Sequence, residues 1–496
     1  MCGQQGSPGG VGGAHVPEGR GAHVPGGRAG GEEILALTHA TLIAAPGSRA
    51  AEHDRTVLIR GGRVTAVGRT ADTPVPDGAR TLDLTGKYVI PGLIDAHTHS
   101  SGLTAFASPL YVLSGVTTVR EMWGTPEIHA WRDRVERGEV LGPRWVVAST
   151  IVDGKPSLSS GDIAPTPVAS VGTEAEAREA VRRITADGSA DFIKVYTRLT
   201  RETFFALANE ARRQGIRFAG HCPDVVPVTE ASNAGQHSIE HLYPLTLSTS
   251  GREEEIRRAV ASVRVDPSEP SSARRYRSWF QQTHPLESAA VRSYEPDRAR
   301  RVFDHLARNG TYVTPTLGVH HCLERQDALP DREEEWKYLP AWLTSSWRQQ
   351  LTEISGPRTP GEATRAREIN DHRAQQVAEL HRHGVPLLAG TDCGTPYLVA
   401  GFSLHDELAR LTAAGLTPAH ALRAATVDAA AALGLGTTLG AIAPGRAADL
   451  VILGADPLTD IRNTRRVEAV VTRGRLIDGE ERQRLLDGLE KAAATS

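Results

Sequence analysis

The sequence predicts an α/β protein: a (β/α)8 TIM-type barrel with a small β-sandwich domain formed from both chain ends. Between about residues 91 and 439, eight short apolar runs alternate with Ala-, Glu- and Arg-rich stretches of helical periodicity. This alternation is typical of a barrel of parallel strands, and a doubly wound open sheet remains the competing fold. The eight runs are GLIDAH, TTVREM, RWVVAS, DFIKVY, RFAGHC, SIEHLY, YVTPTL and PLLAGTD.

The two flanking regions carry the pattern of short strands. Residues 33–90 contain alternating β-branched runs separated by Gly, Asp and Pro turns, and 440–480 contain a second set, including APGRAADLVIL and VEAVVTRGRLIDG. We expect these two parts to form one sandwich. Residues 1–32 are rich in Gly and Pro and predict a disordered tail, whereas 481–496 predict a C-terminal helix or tail.

Two long insertions interrupt the predicted barrel. Residues 244–309 are charged and of helical character and separate the sixth strand from the seventh, and 318–378 follow the seventh strand. Long insertions in a barrel commonly cover the face that carries the active site. Substrate specificity is therefore expected to reside partly in these segments.

Composition narrows the classes of partner. The formal charge of −3 gives no reason to expect nucleic acid or an acidic membrane, and no apolar run is long enough to span a bilayer. The four cysteines are too few and too scattered for a disulfide framework, which favours a reducing, cytoplasmic compartment. They are Cys2, Cys222, Cys322 and Cys393.

Metal-binding side chains occur where predicted strands meet their loops. Residues two apart in a strand point the same way, so both histidines of His97-Thr98-His99 can face one point. A lone histidine is usually a surface or core residue, but six metal-competent residues at the ends of five strands favour a metal site. They are His97, His99, Lys194, His221, His241 and Asp392.

Several motifs resemble the amidohydrolase superfamily. PGLIDAHTHS looks like its first-strand signature and AGTDCG like its eighth-strand aspartate motif. FIKVYT, AGHC, HSIEHLY and APGRAADLVIL are similar to the branch that contains imidazolonepropionase-like enzymes and metal-dependent Xaa-Pro dipeptidases. The resemblance covers roughly residues 34–480.

The resemblance implies two divalent ions, with Zn as the default and Mn, Co or Fe as acceptable replacements. His97, His99 and Asp392 would bind the first ion, and His221 and His241 the second. Lys194 would carry a CO2-derived carbamate that bridges both ions.

The identity of residue 194 agrees with that role. Only five of the 56 basic residues are lysines, so a lysine at a strand end is informative. An ammonium group repels a dication, whereas a carbamate is an anionic ligand with two oxygens, and arginine has no equivalent amine. A salt-bridged lysine is the alternative.

In the implied reaction, a hydroxide bridging the ions attacks a scissile carbonyl, and Asp392 acts as general base and then general acid. Tyr243 would donate to the oxyanion or to a substrate carboxylate, and in dipeptidase-like relatives a tyrosine near this place binds the substrate's carboxylate. Tyr196 is an alternative donor, and Arg120 and Arg198 are weaker candidates for the same anion.

Other histidines compete for roles at the site. His237 lies four residues before His241, at the start of the predicted strand, and a helical HSIEH segment would place both on one face. His320 and His321 follow the seventh strand, where they could contact a substrate.

Three functions remain open at this stage. The first is a binuclear hydrolase of a dipeptide or an N-acyl amino acid. The second is a mononuclear cyclic-amide hydrolase or deaminase, as in imidazolonepropionase-like relatives, and the third is a non-catalytic barrel scaffold. The partner is expected to be a small-molecule substrate, and the resemblance implies a homo-oligomer because relatives often form symmetric assemblies.

Overall fold

The computed structural model describes residues 33–47, 50–159, 168–329 and 332–496, so the predicted disordered tail 1–32 lies outside the described residues. Two eight-stranded sheets organise this part of the chain, one in the middle and one built from both ends. The predicted fold class is confirmed, and the doubly wound alternative is wrong.

The end sheet combines five strands from the first part of the chain with three from the last. Its strand order is β16-β15-β14-β5-β1-β2-β3, with β4 beside β1, and an isolated bridge from Arg63 to Ala447 connects β3 to the segment before β14. The strands are β1 Leu35–Leu42, β2 Glu52–Arg60, β3 Arg63–Arg69, β4 Arg80–Asp83, β5 Tyr88–Pro91, β14 Leu450–Leu453, β15 Val467–Thr472 and β16 Arg475–Ile477.

The barrel sheet is parallel and has the order β13-β12-β11-β10-β8-β7-β6, with β9 beside β8. Its strands are β6 Leu93–Thr98, β7 Val116–Glu121, β8 Arg144–Gly154, β9 Val168–Val171, β10 Phe192–Val195, β11 Phe218–Gly220, β12 Ser238–Glu240 and β13 Tyr312–Thr314.

The eighth predicted strand, PLLAGTD, closes the ring through isolated bridges. Leu387 bridges to Val313 of β13, and Cys393 bridges to Thr98 of β6. The amide of Ala96 also donates to Ala389 O at 2.9 Å. Because first and last strands are joined in this way, the carboxyl ends of all barrel strands surround one point.

Helices surround the barrel and fill both insertions: residues 244–309 fall on α6–α9 and 318–378 on α10–α13. The helices are α1 Thr104–Leu113, α2 Pro126–Glu136, α3 Glu174–Asp187, α4 Arg201–Gln214, α5 Val228–Asn233, α6 Tyr243–Ser248, α7 Glu253–Ala261, α8 Ser272–Arg292, α9 Pro296–Asn309, α10 Leu317–Glu324, α11 Glu333–Trp336, α12 Ala341–Ser355, α13 Pro360–Arg382, α14 Phe402–Ala413, α15 Pro418–Ala424, α16 Val427–Ala432 and α17 Gly479–Ala494.

Local sequence explains where several helices begin and end. In α3, the Thr173 side chain accepts from the amide of Glu176 while the Glu176 side chain reaches back to the cap backbone, and Gly188 ends the helix in a left-handed conformation. The same capping box, from Thr359 and Glu362, begins α13. Within the described ranges, no helix is both long and apolar enough to cross a membrane.

The buried carboxylate of Asp449 joins the end sheet to the barrel. It accepts the Arg144 guanidinium of β8 at 2.7 Å and the backbone amide of Arg473 at 2.6 Å. One side chain therefore ties the first residue of a barrel strand to the turn between two strands of the end sheet.

We expect Asp449→Ala to lower the free energy of unfolding by about 1–3 kcal/mol, because it leaves a buried amide and a guanidinium without their acceptor. Denaturant unfolding measures the change. Arg300→Ala, which removes an exposed ion pair with Asp297, is the control and should leave the unfolding curve in place. An Asp449→Ala protein as stable as the control would contradict the assigned role.

Candidate active site

Three predicted ligands from the first and eighth strands lie together. The Nε2 atoms of His97 and His99 lie 3.3 and 3.2 Å from Oδ1 of Asp392. Their ligand atoms all fall within 4.8 Å of one another, a spacing that could hold a metal ion. His97 and His99 share one face of β6 and its continuation, as alternation requires.

Two further predicted ligands face each other beside this group. Nε2 of His221 lies 3.1 Å from Nε2 of His241, and the His97 and His241 rings are 5.1 Å apart. Nδ1 of His221 pairs with the Thr197 hydroxyl and Nδ1 of His241 with the Thr316 hydroxyl, both at 2.7 Å. If each Nδ1 donates its proton to a threonine, two bare Nε2 atoms converge, which is a donor set suited to a cation.

Lys194 lies in the barrel interior with no exposed surface. Its Nζ is buried and has no hydrogen-bond partner among the described residues, and the same is true of Nε2 of His97. Gly220 makes room for the lysine, because a Cβ there would lie 3.1 Å from Cδ of Lys194 and 2.1 Å from the backbone oxygen of Val195. Orphaned buried nitrogens in such a site fit the metal binding that the sequence predicts.

Burial sets the protonation states. It holds the pKa values of His97 and His221 well below the usual range, so both imidazoles are neutral, the form that binds metal. Burial also lowers the pKa of Lys194 to about 8. For Asp392, burial by itself raises the pKa, but the interactions with His97 and His99 lower it by more than burial raises it. The net pKa lies below its usual range, so the carboxyl is ionised at neutral pH.

Glu240 belongs to the candidate site and was not predicted from the sequence. Its Oε2 accepts Nδ1 of His97 at 2.9 Å, and neither side chain has exposed surface. A carboxylate on the far nitrogen fixes the tautomer of a ligand histidine and directs its Nε2 to the metal. Its position directly before His241 in HSIEH, on the inward face of the strand, was the available signal.

Two other buried carboxylates support the site. Asp95, two residues before His97 on the same face, accepts the hydroxyl of Thr391 at 2.7 Å and so joins the first strand to the aspartate loop. Glu121 lies 4.0 Å from Nδ1 of His99 and accepts the amide of Ser100 at 3.0 Å. Burial raises the pKa of Asp95 to about 7 and that of Glu121 to about 8.

The interpretation of Arg120 as an anion-binding candidate is wrong. The residue is 2% exposed, and its guanidinium donates to Ser238 Oγ and Glu240 Oε1, both at 2.8 Å, and to Thr314 Oγ1 at 3.2 Å. A fourth bond goes to the backbone oxygen of Ala96. Because its donors are directed to groups inside the barrel, Arg120 is not available to a substrate.

The other predicted substrate contacts lie at the strand ends. The Tyr243 hydroxyl is buried without a partner among the described residues, and its ring packs 5.4 Å from Trp279 of α8. The Tyr196 ring lies 4.1 Å from His221. Arg198 donates to the backbone oxygen of Val263 at 3.1 Å.

The two competing histidines of the sixth strand, His237 and His241, lie in different surroundings. Nε2 of His237 pairs with the backbone oxygen of Ala432 at 2.8 Å, away from the other candidate ligands. Ser238 and Glu240 point into the barrel, so regular alternation would turn His241 outward. Its left-handed backbone, with φ of 68°, breaks the alternation and brings the imidazole to His221.

The two histidines that follow the seventh strand have different surroundings. The ring of His320 lies 5.6 Å from the ring of His241, whereas His321 pairs with the backbone oxygen of Ala328.

We expect His241→Asn to reduce bound metal substantially and His237→Asn to leave it unchanged, because only His241 faces the other candidate ligands. Both substitutions replace a histidine on the same short segment, so each is the other's control. Metal content per chain, measured by plasma mass spectrometry, provides the comparison. Equal losses in the two variants would contradict the geometry described above.

Comparisons with known proteins agree with this architecture. The family model described as Amidohydrolase family matches residues 88–477. Among curated proteins, imidazolonepropionase from Klebsiella pneumoniae (strain 342) is 51% identical over 43 residues, which are 9% of this chain and 10% of that protein. The chain thus matches only about a tenth of the length of this relative.

Two solved structures match over most of their length. A candidate prolidase from Bifidobacterium longum is 25% identical with a TM-score of 0.63, and the match covers 94% of this chain and 100% of that one. Bottromycin amidohydrolase is 28% identical with a TM-score of 0.69, covering 93% and 90%. With the family model matching most of the chain, the protein belongs to the amidohydrolase family.

Proposed function

We propose that the protein hydrolyses the amide C–N bond of a dipeptide or an N-acyl amino acid at a two-metal centre. The observation that carries the proposal is the compact group of His97, His99 and Asp392 beside the facing Nε2 atoms of His221 and His241, which are 3.1 Å apart. It is supported by the buried Nζ of Lys194, which has no hydrogen-bond partner among the described residues. Similarity to a candidate prolidase and to bottromycin amidohydrolase supports an amide substrate.

The proposed ligands divide into two sets that share one residue. When bound, the two ions would lower the pKa of a water molecule and polarise the scissile carbonyl. His97, His99 and Asp392 would hold the first ion, His221 and His241 would hold the second, and carboxylated Lys194 would be the ligand that both ions share.

Asp392 moves the proton in this proposal. Its carboxylate is ionised and its backbone amide is anchored by a 2.8 Å bond to His97 O, so the side chain is held against the histidines. It accepts the proton of the attacking water and passes it to the leaving nitrogen. The hydroxyl of Tyr243, which has no hydrogen-bond partner in the described part of the chain, donates to a substrate oxygen, either the oxyanion or a carboxylate.

The state of Lys194 supports the carbamate. A pKa of about 8 leaves a share of the amine neutral at neutral pH, and only the neutral amine is nucleophilic towards CO2. In that reaction a C–N bond forms, one C=O π bond of CO2 opens onto its oxygen, and the amine releases a proton to water. The product is an anion, which offsets the cationic charge of the ions beside it.

A mononuclear cyclic-amide hydrolase or deaminase is the second candidate. The observation in its favour is that His97, His99 and Asp392 alone form a compact group of three ligand atoms, which is enough for one ion. In that case Lys194 would have a structural role, and no bridging ligand would be needed.

The metal content of the purified protein distinguishes the two candidates. We expect close to two ions per chain by plasma mass spectrometry, and turnover of N-acetyl-L-amino acids or Xaa-Pro dipeptides that is lost after chelation and restored by added metal. A reproducible value near one after supplementation would contradict the two-ion centre and direct the search to cyclic amides and deaminase substrates.

We expect Asp392→Asn to fold normally and to lose at least about 100-fold in kcat, because an amide cannot accept and return the proton. Steady-state kinetics and a melting curve give the two readouts. The control is Asp304→Asn, a partly exposed carboxylate paired with His383. Activity of Asp392→Asn within tenfold of the unmodified protein would contradict the acid–base role.

We expect Lys194→Ala to bind less metal and to regain part of it, together with activity, when short carboxylic acids are added in place of the carbamate. Lys155→Ala removes an exposed lysine paired with Glu176 and serves as the control. If Lys194→Ala keeps two tightly bound ions and does not respond to added acid, the bridging role is wrong.

A further inference from the structure

Both helical insertions meet at one buried arginine. Arg373 of α13 donates from Nη2 to Glu287 of α8 at 2.6 Å, and from Nη1 to Glu324 of α10 and to Nδ1 of His320 at 2.8 Å. The side chains of Arg373, Glu287 and Glu324 are 3 to 5% exposed. Both carboxylates accept from the guanidinium of Arg373, so its contact with His320 is held by a buried network.

This contact determines which nitrogen of His320 carries a proton. Arginine has five N–H donors and no acceptor, so Nδ1 of His320 must accept. In a neutral imidazole the proton then lies on Nε2, which becomes a donor. Nε2 of His320 is buried and has no hydrogen-bond partner among the described residues. A buried donor of this kind is normally paired, and the described residues offer it no acceptor.

The donor lies beside the hydrolytic centre. The His320 ring is 5.6 Å from the ring of His241, at an interplanar angle of 85°. Helix α10 begins directly after Thr316, whose hydroxyl pairs with Nδ1 of His241. His320 is thus one helical turn beyond a residue that orients a proposed ligand, and its ring lies beside that ligand.

We infer that the Nε2–H group of His320 donates a hydrogen bond to the carbonyl oxygen of the scissile amide, and that Arg373 is the positioning residue that fixes the required tautomer. This inference rests on the proposed amide hydrolysis. As water adds to the carbonyl carbon, the C=O π electrons move to oxygen, and a donor oriented beforehand stabilises that charge without reorganisation. The imidazole keeps its proton throughout.

The test is His320→Phe, which keeps a ring in place and removes the donor. On the fastest substrate found among N-acetyl-L-amino acids and Xaa-Pro dipeptides, we expect kcat to fall by about 100-fold or more, as for loss of one oxyanion donor. KM should change by less than about threefold and metal content should not change. His321→Phe, at the next position of α10, is the control and should behave like the unmodified protein.

A kcat within fivefold of the unmodified protein would overturn the inference. So would a rise in KM alone, which would assign the donor to a group bound equally in the ground state, such as a carboxylate. If the unmodified, metal-loaded protein hydrolyses no member of the panel, the proposed function fails instead.

The tautomer can be tested without any turnover. Nitrogen NMR of protein labelled at histidine, with the His320 signals identified by their loss in His320→Phe, should show protonated Nε2 and bare Nδ1. Protonation of Nδ1 would overturn the inference whether or not a substrate has been found.

Discussion

The buried ion pair between Arg120 and Glu240 is the interaction on which barrel and site both depend. Burying the Glu240 carboxylate alone would be costly, and the arginine compensates it at 2.8 Å while also reaching β6 and β13. Glu240 in turn holds Nδ1 of His97, and its carboxylate fixes which nitrogen of that histidine faces the centre. The charge pair that fills the barrel interior therefore also orients the first proposed ligand.

Near this ion pair, the backbone is no longer extended at three strand ends of the candidate site. His241, Thr316 and Asp392 all have left-handed backbones, with φ of 68°, 48° and 59°. Non-glycine residues adopt this region at an energetic cost, which the surrounding bonds of the closed barrel offset. The result is that side chains on neighbouring strand ends turn towards one point instead of alternating in and out.

Helices of the two insertions pack beside the candidate metal ligands at the strand ends. Trp279 of α8 donates to Asp224, three residues after His221, and α10 carries His320 against His241. Arg373 of α13 links these helices, so residues from both insertions form one packed unit over the strand ends. Helices from both insertions therefore contact residues of the candidate site.

The sequence by itself determined the features that depend on local periodicity. Alternating apolar runs and helices predicted the barrel, and polar residues at the run ends identified the six candidate ligands, because strand ends in a closed barrel share one edge. Tertiary structure alone decided the role of Arg120, the support of His97 by Glu240 143 positions away, and the inward turn of His241. These features depend on which strands become neighbours and on single backbone angles. Neither produces a periodic pattern in the sequence.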